Sequence, residues 1–215
     1  MLNEIRENKY PICDADVWVY ACFGDVVDRL FEIHNKIVVA DVVEGEILKW
    51  KSNDKFKYVA NTYEYYKTRG RILVICHKEH IPLEHRKILE GMLTQFGFQN
   101  YFSNVPPEKD KGEYVSAIYA DYFNISLFRT NDNLFAEGGR GRKDFPDLNI
   151  QNWYDTLRTL VPDNAAFIKI NKMIQDEEER CEYYKEQRNL NRSYENKEHK
   201  KESLDLVTML RGKWN

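Results

Sequence analysis

No excess of positive charge marks this chain of 215 residues: 32 Lys and Arg stand against 35 Asp and Glu, a formal net of −3 with a pI near 6.0. That balance excludes a protein that coats nucleic acid through bulk charge, but leaves room for a nucleic-acid enzyme with a local basic surface. Long apolar runs are missing as well. No stretch approaches the length of a bilayer span and the opening MLNEIRENKY is too polar for a signal peptide, so no membrane association is expected. The four cysteines, Cys13, Cys22, Cys76 and Cys181, lack paired spacing, which predicts reduced thiols in a cytoplasmic protein. The sequence has no internal repeat. What it does hold is 42% hydrophobic and 13% aromatic residues, enough for a core in one domain with an extension or in two small domains. Its 31% of charged residues and mean hydropathy of −0.67 predict that part of the chain is solvated.

Short strands are predicted over residues 11–13, 36–40, 71–76, 125–128 and 148–150, because each run is brief and apolar. Between them the periodicity is helical. Val17, Tyr20, Ala21, Val27, Leu30 and Phe31 recur at helical spacing, Asp41 opens a second helix, and residues 55–69 form a Tyr-rich helix that stops at Gly70. Residues 83–96 are amphipathic, with Ile88, Leu89, Met92, Leu93 and Phe96 assigned to one face. Pro106-Pro107 breaks the chain, and Asp110 starts a helix striped by Val115, Ile118, Tyr119 and Tyr122. Strands alternating with helices predict an α/β fold with a mostly parallel sheet of about five strands, its ligands gathered at the strands' carboxyl ends. From about Pro162 the composition shifts, so a domain over residues 1–160 and an extension over 161–215 are expected. Phe167, Ile170 and Ile174 suit a helix covering the core. Beyond them the mixed charges, as many basic as acidic from residue 171 on, suit an exposed helix or a disordered arm. The last apolar cluster, Leu204, Leu206, Val207, Met209, Leu210 and Trp214, is suited to docking.

Four acids fall where this topology brings them together. Asp14 follows the first strand, Glu46 lies in the helix after the second, Glu113 in the first turn of the helix before the fourth, and Asp132 follows the fourth. Carboxylates sharing one cleft repel, and their pKa values rise unless a cation neutralises them. All-oxygen ligation suits Mg²⁺ or Mn²⁺. Each acid also has a plain structural reading. Asp41 with Glu44, and Asp110 with Glu113, have capping-box spacing, while Asp14 and Asp132 suit turns or N-caps. Capping accounts for Glu44 but not for Glu46, which points to another helix face.

These residues resemble a known family. Ile12-Cys13-Asp14-Ala15-Asp16-Val17-Trp18-Val19 looks like the opening motif of PIN-domain nucleases, and Val39-Ala40-Asp41-Val42-Val43-Glu44-Gly45-Glu46-Ile47-Leu48 like their second. Gly112-Glu113-Tyr114-Val115-Ser116-Ala117-Ile118-Tyr119-Ala120 is similar to the Gly-Glu helix motif of one subgroup, and Thr130-Asn131-Asp132 resembles the closing Thr-x-Asp. The likeness covers about residues 9–160. It implies a three-layer α/β/α sandwich in which Asp14, Glu46, Glu113 and Asp132 hold Mg²⁺ or Mn²⁺ for hydrolysis of RNA phosphodiesters, with Thr130 and Asn131 shaping the site. Asp16 departs from the family pattern, where an uncharged polar residue is usual, and is either a fifth metal ligand or a solvated acid. Bacterial members are often toxins, which adds an antitoxin or other protein, or a second copy of the chain, to the expected partners.

Other features stay open. Gly138-Gly139-Arg140-Gly141-Arg142-Lys143 suits a substrate-backbone clamp through Arg140, Arg142 and Lys143, and equally a mobile solvated loop. Cys76-His77-x-x-His80 with His85 lacks the second Cys pair or the His-Glu-x-x-His pattern of a zinc site. Tyr183, Tyr184 and Tyr194 among Arg180, Arg188 and Arg192 suit base stacking, or a helix packing through its tyrosines. Asp14-Ala15-Asp16 also fits the paired aspartates of haloacid-dehalogenase phosphatases, though that leaves Glu46 and Glu113 without a role. The remaining alternative is a PIN-like module that binds RNA or protein without cutting.

Overall fold

The computed structural model describes residues 4–5, 10–99, 101 and 108–212, with side chains described to residue 187 and at 189. The first strand, β1 (Ile12–Cys13), ends at Asp14, which caps α1 (Ala15–Phe23). The expected single helix through residue 31 is two helices. Gly24 closes α1, Asp25 turns the backbone at φ 53°, and α2 (Val27–His34) follows. Aspartate is among the few residues that tolerate this left-handed conformation. Next come β2 (Ile37–Ala40), α3 (Asp41–Lys49), a 3-10 turn (Trp50–Ser52) and α4 (Tyr58–Thr68). After β3 (Ile72–Ile75) lie the short α5 (His77–His80), α6 (Leu83–Gln95) and α7 (Lys111–Tyr122). The chain continues through β4 (Leu127–Arg129), a second 3-10 turn (Asn133–Phe135), α8 (Arg140–Asp144), β5 (Asn149–Gln151), α9 (Trp153–Leu160) and α10 (Asn164–Gly212).

The sheet is five-stranded, in the order β3-β2-β1-β4-β5, and every pair is parallel. This is an α/β fold compatible with a three-layer α/β/α sandwich. β2 and β3 are buried throughout, as strands covered on both faces must be. The chain builds outward from β1 through β2 to β3, then crosses back to place β4 on the other side of β1. The order therefore reverses between β1 and β4. At such a reversal the connections leave in opposite directions and open a crevice at the carboxyl ends of the strands.

Aromatic side chains fill the core. Trp18 is buried with its indole N–H donating to Val59 O at 3.0 Å and the Tyr63 ring edge-on at 5.5 Å. A second cluster sets Phe135 against Phe128 and Tyr114 at 5.2 and 5.4 Å, anchoring the segment that follows β4. On α6, Leu89 and Leu93 face inward, but Ile88 is 61% exposed. Adjacent helical positions stand about 100° apart, so one inward face cannot hold both Ile88 and Leu89 fully. Among the described residues no helix is long and apolar enough to cross a membrane, and no cysteine forms a disulfide.

By internal contacts the chain forms two compact units, Met1–Asn171 and Lys172–Asn215. Phe167 and Ile170 are buried in the first. In the second, helical like the end of the first, Arg180 bonds Glu177 and the Tyr183 and Tyr184 rings meet edge-on at 5.5 Å. Pro106-Pro107 and Trp214 lie outside the described residues, as do the side chains of Arg188, Arg192, Tyr194, Leu204, Leu206, Val207, Met209 and Leu210.

Two glycines after β4 are required by close packing. A Cβ on Gly139 would stand 2.2 Å from the Leu134 carbonyl oxygen, and one on Gly141 would stand 2.7 Å from the Phe135 ring. Gly91, exposed within α6, has nothing within 4 Å. Gly139→Ala is therefore expected to destabilise by about 1–3 kcal/mol, and Gly91→Ala to stabilise by up to about 1 kcal/mol. Urea denaturation of the two variants at constant m-value checks both signs.

Candidate active site

β1 and β4 finish side by side, with Ile12 opposite Phe128 and Cys13 opposite Arg129. One residue further, the Asp14 N–H donates to Arg129 O at 3.0 Å, so the residues after the two strands meet at the reversal of strand order. Asp14 is 1% exposed and both of its carboxylate oxygens are engaged. Oδ1 accepts the Ala15 N–H at 2.5 Å, and Oδ2 accepts the Thr130 hydroxyl at 3.2 Å. The same hydroxyl accepts the Asp132 N–H at 3.2 Å, so Thr130 ties the two aspartates together. Asp132 Oδ1 then accepts the Leu134 N–H at 2.6 Å, and Asn131 Oδ1 accepts the Trp153 N–H at 3.4 Å.

Two helices bring the glutamates. α3 and α7 pack closely at Gly112, where an added Cβ would lie 3.2 and 3.3 Å from the two carboxylate oxygens of Glu46. Gly112 thus leaves a cradle for the Glu46 carboxylate, and Glu113 follows it directly on the first turn of α7.

The acids act on one another electrostatically. Burial lifts the Asp14 carboxyl well above the usual range, and the charges of Glu113, Asp16 and Glu46 lift it further. Glu113 is pushed up to about 7, again chiefly by burial; a hydrogen bond from its own backbone opposes this, and Glu46, Asp132 and Asp16 add to it. Glu46 is raised by burial, with Lys49 opposing and Asp16 adding. The structure therefore brings Asp14, Glu46, Glu113 and Asp132 into one mutually repelling set, with the exposed Asp16 beside them.

Asp110 joins this set, and the capping reading concealed it. Its backbone is left-handed at φ 63°, its side chain caps nothing, and its carboxyl is raised by burial and by Asp132. The other expected capping box is absent too. Asp41 is the first residue of α3, and its carboxylate accepts the His77 N–H at 2.8 Å and the Tyr119 hydroxyl at 3.3 Å. Glu44 pairs with Lys67 at 2.6 Å. Lys111, at the start of α7, is only 2% exposed and pairs with Glu108 at 3.0 Å. Nothing in the pattern of neighbouring residues marked it as buried.

In the cationic segment, residues from Arg140 onward form the short helix α8, with Gly139 and Gly141 closely packed as described above and Gly138 in open space. Arg142 donates to the carbonyls of Phe135 and Ile150 at 3.3 and 2.9 Å. Arg140 lies 3.6 Å from Asp144, and Lys143 is exposed. The three histidines have separate partners. His80 accepts the Cys76 N–H at 2.8 Å, His77 meets Glu90 at 3.1 Å, and His85 meets the Tyr122 hydroxyl at 2.6 Å.

Among the described residues no three His, Cys, Asp or Glu side chains are arranged to hold one ion as they stand. The donor set is nevertheless chemically uniform: carboxylates with a threonine hydroxyl, and no nitrogen or sulfur. With the Gly112 cradle, it fits a hard, oxygen-seeking divalent cation. Compared with known proteins, the chain matches no family model, no curated protein sequence and no solved structure.

A carboxyl with a folded pKa above its unfolded one favours folding below the unfolded value, and that advantage is lost as pH rises through the folded value. For Glu113 the window runs from about 4.5 to about 7. Metal-free protein in EDTA is expected to lose stability across this window, with Glu113→Gln flattening the slope. Denaturation midpoints at pH 5 and pH 8 for the two proteins measure this.

Proposed function

We propose that the chain is a metal-dependent endoribonuclease of the PIN-domain kind. The observation that carries this reading is the buried Asp14 carboxyl at the reversal of strand order, tied to Asp132 through Thr130 and raised by the nearby charges of Glu113 and Glu46. A structural aspartate needs no such company. The parallel five-stranded sheet is also what the sequence resemblance implies, and RNA rather than DNA as substrate rests on that resemblance alone.

On this reading Asp14 and Asp132 are the central ligands of Mg²⁺ or Mn²⁺, and Glu46 and Glu113 complete the set. Bound there, the ion supplies neutralising charge at the phosphate and a water acidic enough to attack it. The protein's own groups do the rest. Thr130 fixes the orientation of Asp14 and the backbone of Asp132, so neither has to reorganise as charge builds on the substrate. Lys143 and the exposed Arg140 lie on α8, which follows β4, and are suited to the sugar–phosphate backbone. An antitoxin-like protein or a second copy of the chain is a further partner suggested by the resemblance.

Purified protein is expected to cleave RNA internally with Mg²⁺ or Mn²⁺ and to stop in EDTA. Asp14→Asn and Asp132→Asn are each expected to lower the rate about a hundredfold or more, at unchanged circular dichroism. Cleavage surviving both EDTA and Asp14→Asn would overturn the mechanism. Hydrolysis of a small phosphomonoester, lost in Asp14→Asn while RNA stays intact, would instead assign Asp14 as a phosphatase nucleophile with Asp16 as its acid.

A further inference from the structure

Beside Asp132, the ends of β4 and β5 and the segments after them line an open cavity of about 600 Å³. That is the size of a small-molecule site. Phe135, Ala136 and Ile150 give it an apolar part, and Asn131, Asn133, Asn152, Glu137 and Asp155 give it polar groups.

Two of the asparagines have settled orientations. Asn131 Oδ1 accepts the Trp153 N–H at 3.4 Å, and Asn152 Oδ1 accepts the Asp155 N–H at 2.9 Å. A backbone N–H can only donate, so each carboxamide turns its oxygen to the backbone and leaves its NH₂ as the group a ligand would meet. The cavity thus offers amide donors together with the carboxylate acceptors of Glu137 and Asp155. Arg142 also lines it, with its Nε and Nη2 already donated to the Phe135 and Ile150 carbonyls.

This chemistry disfavours an anion. Glu137, Asp155 and Asp132 set three negative charges against the single positive charge of Arg142, so a phosphate brought into the cavity meets net repulsion. It favours a neutral, flat group that carries donors and acceptors and has an apolar face, which describes a nucleobase. A carboxylate is matched best by adjacent donors, and guanine presents N1–H and N2–H₂ side by side. Uracil offers one N–H between two carbonyls, which would face the carboxylates unfavourably.

We propose that this cavity holds the base adjoining the scissile phosphate and selects guanine over uracil. The proposal rests on the nuclease reading for its place in the reaction, but base binding itself needs no catalysis. In EDTA, guanosine titrated into ¹⁵N-labelled protein should shift the side-chain amide signals of Asn131 and Asn152, with uridine binding about tenfold more weakly. Asp155→Asn and Glu137→Gln should each erode that difference. With Mn²⁺, RNAs differing only in the base beside the cut should be cleaved with the same preference. Equal responses to the two nucleosides, or shifts confined to other residues, overturn the proposal. Guanosine binding here without RNA hydrolysis upholds the base site and removes the nuclease reading. Hydrolysis indifferent to the flanking base removes the base site and leaves the nuclease.

Discussion

The parallel pairing of β1 with β4 is the contact on which the candidate site hangs. β1 is two residues long, and its hydrogen bonding carries on past the strand when the Asp14 N–H reaches Arg129 O. That bond brings Asp14 and Thr130 to neighbouring positions at the carboxyl edge. Thr130 then needs only one hydroxyl to donate to Asp14 and accept from Asp132. Every other acid is placed relative to this point: Glu46 and Glu113 by the close approach of α3 and α7 at Gly112, and Asp110 by the left-handed turn that precedes α7.

Gathering acids in this way opposes folding, because burial and mutual repulsion both penalise their charged forms. The charges acting most strongly on Asp14 and Glu113 are negative, whereas Glu46 and Asp110 each have a lysine nearby, Lys49 and Lys109. The buried guanidinium of Arg129 is directed elsewhere. It donates to His34 Nε2 at 2.9 Å, so the imidazole must be neutral to accept, and burial beside Arg129 holds His34 down to about 4. The arrangement persists because it is set in a rigid frame of fully buried strands and interlocked rings around Trp18 and Phe135. Polar residues that weaken a fold but are held by its stiffest parts are what a site requires in order to be preorganised.

Much of this was legible in the sequence, for reasons that are local. Runs such as Ile37-Val38-Val39-Ala40 and Ile72-Leu73-Val74-Ile75 are short, apolar and bounded, so the strands and the acids at their ends could be placed. What was not legible is decided by partners distant in sequence. Asp41 and Glu44 have capping-box spacing, yet the Asp41 carboxylate goes to the His77 N–H, 36 residues along the chain. Asp110 carries the same spacing and turns instead toward Asp132. Gly139 and Gly141, at the start of α8 and within it, read as flexible, because the pattern does not reveal that Leu134 and Phe135 leave no room for a side chain at these two positions. The break after α1 is hidden by apolar spacing that continues straight through Gly24 and Asp25.

Charge links the two proposed functions of the cleft. The acids at the strand ends and the acids lining the neighbouring cavity are both hostile to a bare phosphate, so the chain cannot hold RNA there by electrostatic attraction alone. On the proposed reading the contradiction resolves by division of labour. A divalent ion neutralises the strand-end acids where the phosphate must sit, and the cavity acids meet the hydrogen-bond donors of a base, which carries no charge. A net charge of −3 is then compatible with a nucleic-acid enzyme. Affinity would depend more on the ion and on a fitted base than on a broad basic face, and the salt dependence of binding should be correspondingly shallow.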